Sequence, residues 1–447
     1  MFIDSATLSD LEVVSTSTSR GPTLWGLVDR TRSRIGREHL RRRLLSPSHS
    51  AEEIPQIQQA HQLLAADAGA YRKAIDRAVC DEVEDYLSST WHLPNAMPGL
   101  APLAGGLFTR DKWYQRYLKD VGKGQASVLA LLDAAADLGG RFLAGHSAVL
   151  RDVGRRIEAL LNTPNAERLR RFGGSHSRTA KLAFDQLARE GAKGLLVDVI
   201  DCVGVVEAMW SLAAATSEHG WCYPQPSATL RAVGLFHPFL GRQSVPNDLQ
   251  LDGQVRVCFL TGPNMAGKST FLKAIAIAVL LAHAGCGVPA RSLDFPTVGT
   301  IFSSVQIVDN LSGGESFYLA EVRRIRALAV ALHDHVSAIA IVDEPFRGTN
   351  VHDAAEATLA VITRLAAHPS ALVFVASHIG EVVPAIANDP RIGLFHFSAD
   401  ITTDIPRFDF RLRAGVSDQR LGMLLLRQEQ VLDLLERPAG PPSPSRS

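Results

Sequence analysis

The sequence has few cysteines, and they show no paired spacing. Its five cysteines are far apart, at Cys80, Cys202, Cys222, Cys258 and Cys286. No Cys-x-x-Cys pair is therefore available for a zinc ribbon or a redox dithiol. A scattered, odd number of cysteines in a chain of 447 residues is typical of a reducing compartment. We therefore expect a cytoplasmic protein.

The chain also lacks an excess of charge and a long uninterrupted apolar run. Its 46 Lys and Arg residues balance 46 Asp and Glu residues, which argues against a uniformly basic surface but not against a local basic patch. The most apolar segment, residues 271–290, contains Lys273, His283, Gly285 and Pro289, so we interpret it as a buried core helix. The N-terminus has neither the basic nor the apolar region of a signal peptide. We expect no membrane association.

The distribution of apolar residues predicts two domains and a tail. Residues 1–220 show apolar positions at helical spacing and little strand alternation, which predicts an all-α domain. In residues 221–436, short β-rich runs alternate with helices, a pattern typical of a mostly parallel sheet covered by helices. Residues 437–447 are rich in Pro and Ser, and we expect them to be disordered.

Residues 262–269, GPNMAGKS, match the G-x-x-x-x-G-K-[ST] pattern of a phosphate-binding loop. A predicted strand precedes the loop and a predicted helix follows it, so an ordinary Gly-rich turn is a poor alternative. Glycines let backbone N–H groups turn towards phosphates, and the helix N-terminus adds partial positive charge. We expect Lys268 to reach the β- and γ-phosphates and Ser269 to bind Mg²⁺. The candidate nucleotide-binding residues are Gly262, Pro263, Asn264, Met265, Ala266, Gly267, Lys268, Ser269 and Thr270.

Two later apolar strands end in polar residues suited to phosphate chemistry. Residues 338–342 lead into Asp343 and Glu344. We expect Asp343 to hold Mg²⁺ through water and Glu344 to position or deprotonate the attacking water. Residues 372–376 lead into His378, a candidate γ-phosphate contact. The alternatives are a solvated acidic turn and a structural or surface histidine.

A segment between these motifs predicts contacts from a second subunit. LSGGE, at residues 311–315, resembles the signature of ABC-type ATPases. In that class the segment completes the site of the opposite subunit, which implies a homodimer through the ATPase domains. The alternative is a plain Gly turn that caps a helix. The candidate residues are Ser312, Gly313, Gly314 and Ser316.

Several motifs resemble the MutS family of DNA mismatch-repair ATPases. TGPNMAGKST (261–270) is similar to that family's phosphate loop, with Asn264 and Met265 as the distinguishing pair. DEPFRGTN (343–350) resembles its DE-x-x-RGT segment, and SFYLAEV (316–322) its S-x-F-x-x-E segment. The resemblance implies an ABC-type P-loop ATPase domain that uses ATP and Mg²⁺. By the same resemblance, Phe236 and His237 are candidate adenine contacts.

The resemblance extends to the N-terminal half of the chain. Residues 24–47 are similar to the start of the family's helical core, or lever, domain, and residues 413–417 to the segment that closes its ATPase domain. No residues remain for the mismatch-reading domain, the connector domain or a C-terminal nuclease. We therefore expect a short MutS-like protein with lever and ATPase domains only.

Basic residues in the helical half raise the question of DNA binding. One cluster comprises Arg30, Arg32, Arg34, Arg37, Arg41, Arg42 and Arg43, and a second comprises Arg168, Arg170, Arg171, Arg178 and Lys181. Such clusters bind DNA phosphates non-specifically, but they also occur as paired or solvated helix surfaces. Two functional hypotheses follow. One is a DNA-binding ATPase acting in mismatch repair or recombination, and the alternative is an ATP-driven switch that moves a protein partner without binding DNA.

Overall fold

The computed structural model describes residues 1–15, 21–89, 112–175, 177–251, 253–305, 317–334, 336–401, 406–417, 419 and 426–436. The chain divides into two compact units. The helical unit comprises Leu24–Tyr223 and Leu281–Val288. The α/β unit comprises Met1–Thr23, Pro224–Leu280 and Pro289–Ser447.

The regular elements follow the periodicity of the apolar residues. The helices are α1 Ser5–Asp10, α2 Leu24–Val28, α3 Arg34–Leu45, α4 Glu53–Ala66, α5 Ala68–Arg77, α6 Cys80–Ser88, α7 Lys112–Ala144, α8 Ala148–Leu161, α9 Pro164–Arg170, α10 Arg178–Gln186, α11 Lys193–His219, α12 Lys268–His283, α13 Phe317–His333, α14 Val351–Ala366, α15 Val383–Ile386 and α16 Val431–Glu436. The strands are β1 Phe2–Ile3, β2 Gln225–Pro226, β3 Arg231–Leu235, β4 Asn247–Gln250, β5 Val257–Thr261, β6 Ser292–Phe295, β7 Thr300–Ser304, β8 Ala338–Asp343, β9 Ala371–Ala376, β10 Ile392–His396, β11 Ala399–Asp400, β12 Arg407–Phe408 and β13 Arg413–Ala414.

The helical unit is organised around the long helices α7 and α11. Helix α7 packs against α6 and α8, and α11 packs against α3 and α4. Their apolar faces share one core that includes Phe142, Phe184 and Met209. Burial of such large apolar side chains is the main stabilising contribution to a bundle of this kind.

The start of α3 is fixed to α11 by a buried carboxylate. Glu207 on α11 is almost fully enclosed, and its Oε1 accepts a hydrogen bond of 2.6 Å from the backbone N–H of Arg32. Ser33 donates its hydroxyl to the same carboxylate and caps α3 by accepting from the N–H of Gly36 at 2.9 Å. A Cβ at Gly36 would lie 2.2 Å from Glu207 Oε2. This close approach requires glycine.

The α/β unit contains a seven-stranded sheet in the order β1-β7-β8-β9-β5-β10-β13. Every neighbouring pair is parallel except β10 and β13. A four-stranded sheet, β2-β6-β3-β4, and the pair β11-β12 complete the unit. Because parallel strands end at the same edge, the segments that follow β5, β8 and β9 are brought together. The predicted helical region and mostly parallel α/β sheet are both observed.

The first residues of the chain belong to the α/β unit, not to the helical one. Strand β1 runs parallel to β7, with Phe2 opposite Thr300. On the neighbouring helix, Asp4 forms an ion pair of 2.7 Å with Arg324, and Asp10 accepts a 2.7 Å hydrogen bond from Ser303. The expected domains, 1–220 and 221–436, therefore differ from the observed division over the first 23 residues, because this pairing joins positions distant in sequence. They also differ over residues 221–223 and 281–288, which belong to the helical unit.

The apolar segment near residue 280 forms the buried helix α12, as predicted. Residues 274–282 are all buried. No helix in the described ranges is long and apolar enough to cross a membrane. The apolar character of this segment is therefore explained by its position in a protein core.

Candidate nucleotide-binding site

The turn between β5 and α12 has the backbone conformation of a tight glycine loop. Gly262 and Gly267 have φ values of +131° and +102°, which L-residues with side chains rarely adopt. A Cβ at Gly262 would lie 2.3 Å from the carbonyl oxygen of Phe397. Met265 also has a positive φ, +70°, and is 74% exposed. The glycines at positions 262 and 267 therefore allow a tight turn immediately before the N-terminus of α12.

Lys268, the first residue of α12, turns its side chain back onto this loop. Its ammonium group donates hydrogen bonds to the carbonyl oxygens of Gly262 at 2.8 Å and Pro263 at 3.1 Å. Burial lowers the pKa of Lys268, whereas the negative charges of Glu344 and Asp343 raise it. A buried cation is thus held at the loop, close to two carboxylates.

Asp343 ends β8 next to Ser269. Burial raises the pKa of the Asp343 carboxyl, and a hydrogen bond from Ser269 opposes this shift. Asp343 Oδ1 is buried and has no hydrogen-bond partner in the described part of the chain. An unpaired carboxylate oxygen beside a hydroxyl oxygen suits a hard cation such as Mg²⁺. The residues therefore fit the metal that the resemblance implies.

The structure places the predicted residues Glu344 and His378 side by side. They follow β8 and β9, which are adjacent parallel strands. His378 Nδ1 lies 3.5 Å from Glu344 Oε1. Glu344 has a φ of +49°, and its backbone N–H donates to the Ala376 carbonyl at 2.8 Å. Non-glycine residues in this region carry strain, which tends to occur at functional sites.

A cavity of about 690 Å³ connects Lys268, Ser269, Asp343 and Glu344 with the two candidate adenine contacts, Phe236 and His237. His378 lies beside Glu344 but is not among the residues that line the cavity. Burial, with a contribution from the charge of Lys273, lowers the pKa of His237 to about 4. The His237 ring is therefore uncharged near neutral pH. An uncharged imidazole beside a phenyl ring suits a planar base better than a phosphate.

Comparison with known proteins agrees with these motifs. Residues 258–433 match the family model described as MutS domain V. The chain is 31% identical over 253 residues to DNA mismatch repair protein MutS 2 of Halobacterium salinarum, covering 54% of this chain and 29% of the relative. It is 30% identical over 257 residues to DNA mismatch repair protein MutS of Cytophaga hutchinsonii, covering 53% of this chain and 30% of the relative.

Residues 258–433 of this chain therefore resemble MutS domain V, and about half of the chain is similar to MutS proteins. The match to MutS domain V begins within β5 and includes the glycine loop and the ends of β8 and β9. The chain spans under a third of the length of these two MutS relatives, at 29% and 30%. MutS domain V is an ATPase domain, so the match supports ATPase chemistry in the α/β unit.

Some predicted site residues of this chain are not described by the structure. Ser312, Gly313, Gly314 and Ser316 lie outside the described residues. Within the loop, Ala266 is buried, while Asn264, Met265 and Thr270 line the cavity.

Sequence reasoning missed two residues that shape the cavity. Phe410 lines it and lies near the loop, 3.3 Å from where a Cβ on Gly267 would stand. Asn247 holds this segment in place: its amide donates to the Phe410 carbonyl at 3.0 Å and accepts from the N–H of Leu412 at 2.7 Å. The available signal was the Asn-Asp pair that follows Pro246, but nothing local linked it to residue 410.

The first arginine cluster is largely paired within the helical unit. The pairs are Arg30–Glu218 at 2.7 Å, Arg32–Asp76 at 3.2 Å, Arg34–Asp85 at 2.6 Å, Arg37–Asp29 at 3.8 Å and Arg42–Glu38 at 3.7 Å. Three of these acids, Asp76, Asp85 and Glu218, are distant in sequence and help to neutralise a strip that is basic when read along the chain. Such a strip attracts DNA phosphates less than its composition indicates.

Two members of the second cluster bind backbone carbonyls within the helical unit. Arg170 on α9 donates to the carbonyl of Leu161, at the end of α8, at 3.2 Å. Lys181 on α10 donates to the Leu118 carbonyl on α7 at 3.3 Å. These two side chains therefore contribute to helix packing.

Proposed function

We propose that this chain is an ATPase that binds ATP with Mg²⁺ in the 690 Å³ cavity. The observation that carries the proposal is the meeting of three groups on one cavity: a buried lysine on a glycine loop, an Asp343 oxygen with no partner among the described atoms, and Glu344, beside which His378 lies. Each suits a different part of a nucleoside triphosphate. The test is ATP hydrolysis by the purified chain with and without Mg²⁺, with EDTA as the control.

The roles of the residues follow from their chemistry. Lys268 and the N-terminus of α12 bind the phosphates and offset their negative charge. Ser269 and Asp343 hold Mg²⁺, which when bound neutralises charge that develops on the phosphate oxygens. Glu344 orients or deprotonates the attacking water. His378, next to Glu344, contacts the γ-phosphate.

We assign the base of the nucleotide to the part of the cavity lined by Phe236 and His237. Both side chains are aromatic and carry no formal charge near pH 7. Aromatic faces bind planar bases by stacking. Replacement of Phe236 by Ala is expected to weaken ATP binding while leaving the rate at saturating ATP less affected.

We further propose a homodimer through the ATPase domains, in which Ser312–Ser316 of each subunit completes the site of the other. The support is the ABC-type character of the LSGGE motif. The segment itself lies outside the described residues. Light scattering of a Glu344→Gln chain with and without Mg·ATP tests this proposal, since a trapped nucleotide is expected to increase the dimer fraction. A mass that stays monomeric with nucleotide would contradict it.

We propose that hydrolysis serves a DNA transaction in mismatch repair or recombination. The similarity to MutS domain V and the names of the relatives, DNA mismatch repair proteins, support this role. The proposal assigns no mismatch reading to these 447 residues, since the resemblance assigns them to lever and ATPase domains. The experiment is to compare ATPase rates without DNA and with duplex, mismatched and branched DNA at low salt. Absence of both DNA binding and stimulation would remove the DNA role.

One observation favours the alternative, an ATP-driven switch that acts on a protein partner. The basic cluster on which DNA binding would most simply depend is largely neutralised by neighbouring acids. If ATP hydrolysis is robust and no DNA structure affects it, the alternative becomes the better account. The ATPase proposal itself is unaffected by that outcome.

A further inference from the structure

The helical unit contains a second cavity, of about 370 Å³, which none of the proposed nucleotide-binding residues lines. It is lined by parts of α3, α4 and α11 and by the segment that follows α3. Its polar lining residues are His39, Arg42, Arg43, Ser46, Ser48 and Glu53. This volume is at the lower end of the range for small-molecule sites.

Arg43 differs from most arginines of its cluster. Within the described residues, its guanidinium has no hydrogen bond and no ion pair, whereas Arg32 and Arg34 are bound by acids. Burial lowers the pKa of Arg43. An arginine remains charged in proteins, so Arg43 presents to the cavity a positive charge that no described carboxylate pairs with.

The neighbouring histidine does not relieve this charge. His61 is completely buried. Burial, together with the charge of Arg43, lowers the pKa of His61 to about 3. The imidazole is therefore neutral at physiological pH, and it provides no anion.

Most of the other polar groups of the lining have partners. His39 Nε2 lies 2.8 Å from Asp201 Oδ1, and Arg42 lies 3.7 Å from Glu38. Ser48 donates its hydroxyl to the exposed carboxylate of Glu53 at 2.7 Å. Arg43 is thus the lining cation, within the described chain, whose donors are uncommitted.

We propose that this cavity binds a phosphate group through Arg43. A guanidinium presents donors in a planar fork that matches the oxygens of a phosphate. Arg43 is half-buried, and an oxyanion in the cavity supplies the acceptor that no described residue provides. The volume admits inorganic phosphate, a small phosphate monoester or a backbone phosphate of a nucleic acid end. The chemistry is the same for each source.

The test measures phosphate binding in a Lys268→Ala chain, so that the glycine loop contributes little. Calorimetric titrations at constant ionic strength use sodium phosphate in one arm and a short single-stranded oligonucleotide in the other. Adding Arg43→Met is expected to weaken binding at least about tenfold, as for loss of a charge-assisted hydrogen bond. Arg41→Met, which removes an exposed arginine of the same helix outside the cavity lining, is the matched control and is expected to have little effect.

The outcomes separate the sources and decide the proposal. Arg43-dependent binding of inorganic phosphate supports a small-ligand site, and Arg43-dependent binding of the oligonucleotide alone supports a nucleic acid phosphate. Binding of neither ligand, or binding that Arg43→Met leaves unchanged, overturns the proposal. If Arg43→Met does not fold, Arg43→Lys replaces it in the same titrations. Lysine keeps the positive charge but lacks the planar fork of donors, so Arg43→Lys is expected to bind phosphate several-fold more weakly than the chain with Arg43. Unchanged binding by Arg43→Lys would then overturn the proposal. ATPase activity plays no part in this result.

Discussion

Buried carboxylates occur in both units of the chain, and their surroundings differ. In the helical unit, Asp185 accepts hydrogen bonds from Tyr86 at 2.6 Å, Tyr117 at 2.7 Å and Arg189 at 2.7 Å. In the α/β unit, Asp343 is bound by Ser269, and its Oδ1 has no partner among the described atoms. A satisfied carboxylate stabilises a fold, whereas an unsatisfied one beside a cavity indicates a missing ligand.

The same contrast applies to buried cations. Arg189 lies against Asp185 and over the Tyr86 ring, at 4.4 Å from its centroid. Lys268 is bonded to loop carbonyls, which a phosphate oxygen can replace as acceptors. Arg43 is the exception in the helical unit, since it has no partner in the described structure. The state of each buried charge thus separates structural groups from candidate binding groups.

The largest expected effect comes from the lysine of the loop. Lys268→Ala is expected to abolish measurable ATP binding, because it removes the cation that offsets phosphate charge. Equilibrium binding of a fluorescent ATP analogue measures this loss. Lys73→Ala, an exposed lysine of the helical unit, is expected to bind as the wild type does. Normal ATP binding by Lys268→Ala would show that the buried lysine of the loop is a structural group and not a ligand-binding one.

Loss of the Asp185 carboxylate in the helical unit is expected to lower the unfolding free energy strongly without changing the rate of ATP hydrolysis. Asp185→Ala leaves Arg189 buried without its partner, which costs about 3–5 kcal/mol of unfolding free energy. Urea unfolding measures this change, and ATP hydrolysis per folded molecule is expected to stay close to wild type. The exposed Asp152, paired with Arg155, provides a control in Asp152→Ala. A loss of hydrolysis in folded Asp185→Ala would contradict the structural assignment.

The buried His61 is expected to make the chain less stable as the pH is lowered. Its pKa is lowered to about 3 in the folded chain, whereas an unfolded histidine titrates near about 6.5. As pH falls from about 6.5 towards 3, only the unfolded state takes up this proton, so the unfolding free energy decreases. His61→Leu is expected to flatten this part of the pH profile, and the exposed His146→Leu to leave it unchanged. An unchanged slope in His61→Leu would mean that the ring is not buried neutral.

The smallest effect is expected from the paired arginines. Arg32→Gln combined with Arg34→Gln is expected to change DNA affinity by no more than about twofold, because both side chains already bind acids. Titrations at several salt concentrations measure the affinity and its salt slope. Arg168→Gln with Arg178→Gln, two exposed positions of the second cluster, provides the comparison. A large loss confined to the first pair would show that those arginines contact DNA phosphates.

Patterns that are local in sequence predicted most of the α/β unit. The loop at 262–269 and the strand ends at Asp343 and His378 combine short-range apolar patterning with polar termini, and parallel pairing then brings them together. Pairing between distant residues was not predictable. Examples are β1 against β7 and the bonds from Asn247 to the Phe410 segment. The neutralised arginine strip has in part the same origin, since three of its five acids come from α5, α6 and α11.

The central claim is that Glu344 acts on water at a site that binds ATP independently of it. Single-turnover hydrolysis by Glu344→Gln, alongside ATP binding by the same protein, tests this claim most directly. We expect unchanged or tighter ATP binding and a rate lower by about 10²–10⁴-fold, the usual contribution of a general base. Glu356→Gln, an exposed position on α14, is expected to hydrolyse ATP normally. Normal hydrolysis by Glu344→Gln would contradict the assignment.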